Sequence, residues 1–131
     1  MKYMILIYAN RENWGHPTFL RRPEAQAMPE EQRGRLMGEF EQLMREIHGS
    51  GELVGTEALA DPVTTKTVRV RGGLPATTDG PYVEAKEQLA GYFVVDCHSP
   101  QRAAEIAARF PDARFGAVEV RPVMDLSRPE P

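Results

Sequence analysis

Three sets of side chains in this 131-residue chain could move a proton or hold an anion. The first lies in "DGPYVEAKE", Asp79 to Glu87. Asp79 could take a proton at a cavity mouth, and Lys86, its charge set by Glu84 and Glu87, could bind an anionic substrate or stabilise an enolate. The same residues also have a plain structural meaning. Asp79 can accept hydrogen bonds from its own turn, Gly80 supplies backbone freedom and Pro81 fixes the exit. Glu84, Lys86 and Glu87 suit a solvated connection with an exposed ion pair. On a strand Glu84 and Lys86 would share a face; in a helical turn Glu84 would sit beside Glu87 or Gln88.

The second set is arginine-rich. In "TVRVR" the side chains Val68 and Val70 oppose Arg69 and Arg71, and in "VEVRP" Val118 and Val120 oppose Glu119 and Arg121. Arg69, Arg71 and Arg121 could clamp a carboxylate or phosphate, because guanidinium presents paired donors. Glu119 could equally pair with an arginine on a neighbouring strand or across a dimer. The third set lies in "RENWGHPTFLRRPEAQAM", where Trp14, His16 and Phe19 could cap a ligand with His16 as general base. A histidine among glycine and proline can also be merely exposed. Tyr8 and Tyr82 could orient a substrate.

Other chemistries find no pattern. The chain has no glycine-rich phosphate loop, GxSxG elbow or HExxH helix. Cys97 and His98 are adjacent with no second pair, a poor metal site, so neither metal nor cofactor is expected. Cys97 has no activating cation except His98 and reads as structural.

These residues need elements to position them. "KYMILIY" is a nearly continuous apolar run, predicted as a central strand buried on both faces. About twenty residues without a clear period follow, a length typical of binding loops or lids. Pro29, Glu30 and Glu31 suit a helix start. Leu36, Met37, Phe40, Leu43, Met44 and Ile47 then make an amphipathic stripe, which "HGSG" at 48–51 ends. "ELVGTEAL" reads as a strand and "TKTVRVR" with Gly72-Gly73 as a hairpin arm. "LAGYFVVDC" is a further strand. "SPQRAAEIAARF" is a second helix with Ser99 as N-cap and Pro100 at its first position. "GAVEVRPV" is the last strand. This order predicts an α+β, ferredoxin-like antiparallel sheet with two helices on one face and an inserted β-hairpin. The helix-free face, apolar in the middle and charged at its margins, calls for a second subunit.

Bulk composition sets the limits. Residues 1–124 are expected to form one domain and 125–131 a flexible, proline-rich tail. With 41% hydrophobic and 27% charged residues and a net charge of −3, the chain lacks the positive field of a nucleic-acid binder. A lone cysteine, no signal-peptide pattern and no long apolar span point to a cytoplasmic protein with no membrane partner.

"DGPYVEAKEQLAGYFVVD", Asp79 to Asp96, closely resembles the hallmark segment of the YCII-related proteins, in particular the branch named for its Asp-Gly-Pro-Phe (DGPF) motif. "KYMILIY", "LVGTEAL", the hairpin ending in "TTDGP" and "GAVEVRPV" resemble the family in order and spacing. The resemblance spans nearly the whole chain apart from 9–28 and the tail. It implies a dimeric α+β barrel. In this branch some relatives are encoded beside or fused to extracytoplasmic-function sigma factors. A distant relative dehydrochlorinates a hydroxylated aromatic ring. The resemblance also implies a His and Asp pair in the N-terminal half for acid/base work. His16 lies in the unmatched loop and His48 ends the long helix, so neither is carried over. Tyr82 stands where the branch usually has Phe.

Together these readings predict a homodimer that binds a small anionic or hydroxylated molecule between the sheet and the long loop. Any chemistry would be cofactor-free proton transfer or elimination: Asp79 or His16 takes a proton, Lys86 and Arg121 stabilise negative charge, and Tyr8 or Tyr82 orients the substrate. The alternatives are a non-catalytic ligand sensor or accessory protein of a sigma factor, and a helper within a pathway.

Overall fold

A computed structural model describes residues 1–128; the last three positions of the expected tail lie outside the described residues. Four strands, β1 (Lys2–Asn10), β2 (Leu53–Ala58), β5 (Glu87–Asp96) and β6 (Val118–Pro122), form an antiparallel sheet in the order β2-β5-β1-β6. A separate two-stranded sheet, β3 (Lys66–Arg71) and β4 (Leu74–Asp79), is inserted between β2 and β5. The order is the ferredoxin-like one predicted above.

β1 sits at the centre because its apolar run can pair on both edges, with β5 and β6. Its odd residues Tyr3, Ile5, Ile7 and Ala9 are buried, whereas Met4, Leu6 and Tyr8 are half-buried. The expected burial on both faces is therefore corrected. Helices cover one face; on the other, Met4, Leu6 and Tyr8 keep partial access to water.

The covering helices are α3 (Glu30–Gly49) and α4 (Pro100–Ala108). α3 starts after Pro29 with Glu30 and Glu31 in its first turn, and spacings of seven and four align Leu36, Leu43 and Ile47 on one buried stripe. α4 is capped by Ser99, whose hydroxyl accepts from the Arg102 N–H at 3.1 Å. Its small residues Ala103 and Ala107 let it lie close, so Ile106 and the following Phe110 join β1 and α3 in one core. Arg102 also reaches back to Glu52 with two hydrogen bonds of 2.8 and 3.0 Å, clamping α4 to the start of β2. That guanidinium holds the Glu52 carboxyl down at about 2.

Two expectations change. The segment at 9–28 is not a structureless loop. It folds as a 3-10 turn (Arg11–Asn13) capped by Asn10, then α1 (Thr18–Arg21) and α2 (Pro23–Gln26), burying Thr18, Phe19 and Ala25. Each turn is too short to repeat an apolar period. The hairpin, in turn, is not part of the main sheet face: Val68, Val70, Arg69 and Arg71 are all exposed, because no helix or third strand lies beneath a two-stranded ribbon.

Candidate functional site

A cleft of about 360 Å³ opens on the helix-covered side of the sheet. Ile7, Ala90, Gly91 and Phe93 form its floor, and Thr56–Ala58 of β2 form one edge. Met37 and Phe40 of α3 wall it, and the run His16–Phe19 closes it from above. Phe110 and Asp112, the latter opening α5 (Asp112–Phe115), lie at its back. Phe40 is the hub of the aromatic lining: its ring centroid lies 5.5 Å from Phe19, 6.1 Å from Phe93 and 6.0 Å from Phe110.

The floor depends on a bulge. β1 pairs Ile7 with Gly91 but Tyr8 with Leu89, so Ala90 is the extra residue. The displaced Ala90 carbonyl accepts the Leu59 N–H at 2.8 Å. At the neighbouring Gly91, a Cβ would come within 2.7 Å of the Glu57 carbonyl oxygen, so only glycine permits this approach of β2.

The Leu59 peptide fixed in this way orients the roof. Its carbonyl accepts from His16 Nε2 at 2.8 Å and from Trp14 Nε1 at 3.3 Å. A carbonyl only accepts, so Nε2 carries the hydrogen, and in the neutral form of the ring the lone pair is on Nδ1. The two rings stand edge to face, 6.2 Å apart. His16 is exposed at the cleft mouth, and the peptide bond after it is cis.

At the back, Asp112 is 3% exposed and accepts from the Thr18 hydroxyl at 2.5 Å. Burial pushes its carboxyl above the ordinary value; the Thr18 hydroxyl, its own backbone N–H and the charges of Arg22 and His16 oppose this. Neither Asp112 nor Thr18 was singled out from the sequence, and a contact across 94 residues leaves no local pattern to find.

The remaining sequence candidates fall elsewhere. Asp79 ion-pairs with Lys66 at the base of the hairpin, both exposed. Gly80 turns there with φ +97°, its N–H on the Thr65 carbonyl and its own carbonyl on Thr67. Tyr82 is exposed, with the Arg69 guanidinium 5.7 Å above its ring. Residues 80–86 form neither strand nor helix, and Glu84 and Lys86 are exposed within them. The Lys86 carbonyl accepts from Arg11 N, and Glu87 lies 3.7 Å from Arg22, so this stretch tethers the 11–28 segment. On the helix-free face the neighbouring Glu119 carboxylate raises the pKa of the Tyr8 hydroxyl; burial adds to the rise and Arg121 opposes it. Of the nine candidates, only His16 lines the cleft, with Trp14 bonded to the same carbonyl. Cys97 is buried and free, and its thiol is pushed up chiefly by burial. Among the described residues, no group of three or more His, Cys, Asp or Glu could hold a metal ion, and no helix is long and apolar enough to cross a membrane.

The model of the YCII-related domain matches residues 1–127. The chain belongs to the YCII-related family. An uncharacterised protein of Rhizobium meliloti (strain 1021) is 31% identical over 99 residues, which cover 74% of this chain and 80% of that one. In this chain a sheet, a covering helix and a short helical segment thus meet at an apolar cleft with an imidazole at its mouth.

Proposed function

We propose that this chain binds a small hydroxylated molecule in the apolar cleft, and that His16 Nδ1 accepts a proton from it in a cofactor-free transfer or elimination. The observation that carries this reading is the His16 Nε2 hydrogen bond to the Leu59 carbonyl. It holds the ring at the cleft mouth and assigns the lone pair to the other nitrogen. A cleft of about 360 Å³ is well above the roughly 150 Å³ that suffices for benzene, so a substituted ring fits between the phenylalanines.

α-Hydroxyacetophenone, which has both a hydroxyl and an acidic C–H, tests this. In D₂O the wild type exchanges the α-hydrogen, and His16→Gln binds the probe but exchanges it at the background rate. Exchange by His16→Gln at the wild-type rate overturns the assignment.

The helix-free face, with Met4, Leu6, Tyr92 and Val94 in the middle and Glu119 and Arg121 at the edge, is assigned to a second copy of the chain. "DGPY" at 79–82 supports membership of the Asp-Gly-Pro-Phe branch. Asp79 and Arg69 lie on the exposed hairpin and Lys86 on the stretch that follows it, all outside the cleft. A second reading has its own observation: Val68 and Val70, two residues apart and so on one face of the hairpin, are 60% and 59% exposed. Such a patch suits an accessory protein that docks on an extracytoplasmic-function sigma factor. Co-purification with that factor, lost in Val70→Asp, supports this reading; no complex with purified factor removes it.

A further inference from the structure

The apolar cleft adjoins a second cleft of about 400 Å³, and His16, Pro17 and Met37 line both. The chemistry changes across that divide. The first cleft ends at a buried carboxyl, and neither lysine nor arginine lines it. The second is lined by Arg21 and Arg33, with Glu30 the one carboxylate among its lining residues. Arg33 is engaged, donating to the Met28 carbonyl at 2.7 Å and the Gln26 carbonyl at 3.4 Å. Arg21 takes part in none of the ion pairs among the described residues. Its side chain packs on Gly15, where a Cβ would meet Nε at 2.7 Å, so the backbone beside His16 holds the guanidinium stem.

We infer that the ligand is an amphiphile bound in one orientation, its uncharged apolar body in the first cleft and a carboxylate or phosphate in the second, paired with Arg21. This rests on the reading of the first cleft as a binding site and adds the ligand's charge and direction. An anion turned the other way would lie against Asp112 among phenylalanine rings, where water cannot screen the repulsion. An anion turned toward Arg21 meets a free fork of donors at a wet surface. His16 lies between the two ends, so the atom it reaches is the one joining the apolar body to the charged group.

A matched pair of probes tests this: 3-phenylpropanoate and 3-phenylpropan-1-ol, titrated by NMR against the wild type and Arg21→Gln at low salt. The acid is expected to bind the wild type about threefold to fivefold tighter than the alcohol, and Arg21→Gln to bind both alike with its alcohol affinity unchanged. Arg21 is exposed, so the variant folds. Equal affinities in the wild type, or an acid preference that survives Arg21→Gln, overturn the inference and leave the first cleft as a binding site. Binding of neither probe removes both.

Discussion

Thr18 and Asp112, 94 residues apart in the chain, meet through a 2.5 Å hydrogen bond that joins the first turn of α1 to the first turn of α5 at the back of the cleft. The contact satisfies a carboxyl that has almost no access to water. It also sets the direction of the first prediction.

Burial raises Asp112 above 3.8, so the folded state binds its proton more tightly than the unfolded state. The associated stability is present in full below 3.8 and is lost as pH rises through the higher folded value. Asp112→Asn cannot titrate. Its unfolding free energy relative to wild type should therefore rise with pH across that window. Urea denaturation at several pH values measures this, and a difference that falls with pH contradicts the assigned direction.

Glu52 behaves oppositely. Arg102 lowers it from 4.5 to about 2, so its contribution is complete above 4.5 and disappears as pH falls toward 2. Glu52→Gln should cost about 2 kcal/mol at neutral pH, the typical scale of a charge-assisted pair, and much less near pH 2. A pH-independent loss would assign the effect to packing rather than charge.

Gly91→Ala places a methyl 2.7 Å from the Glu57 carbonyl, a backbone atom that cannot swing away. The edge strand β2 must move, at a cost of about 2 kcal/mol. Because β2 leads into the Leu59 carbonyl, the His16 and Trp14 ring resonances should shift as well. Unchanged resonances with full stability would mean that β2 yields freely.

Leu6 lies on the proposed dimer face, half-buried between Tyr92 and Glu119. The wild type should sediment as a dimer at micromolar concentration, and Leu6→Lys as a folded monomer. A monomeric wild type refutes the assembly.

The elements with local signals were legible in the sequence. Pro29 with two glutamates, Ser99 followed by Pro100, and the apolar run of β1 each state a start or a period within a few residues. The segment at 11–28 was not, since turns of three and four residues repeat nothing. Val68 and Val70 alternate like a core strand yet lie exposed, because alternation reports a strand but not what covers it. The cleft was harder still. His16 could be picked by its type, but the group that orients it is the Leu59 backbone carbonyl, and carbonyls are the same at every residue. Asp112 lay in "FPDARF", where no residue type announces Thr18 as its neighbour.

Trp14 is the one tryptophan of the chain, and it shares its acceptor with the imidazole at the cleft mouth. The tryptophan fluorescence of the protein, excited at wavelengths that tyrosine does not absorb, is therefore a single-site signal from the roof of the cleft. A ligand that reorders the Leu59 peptide alters both of its partners at once. The protein thus carries its own optical report of cleft occupancy, without a label.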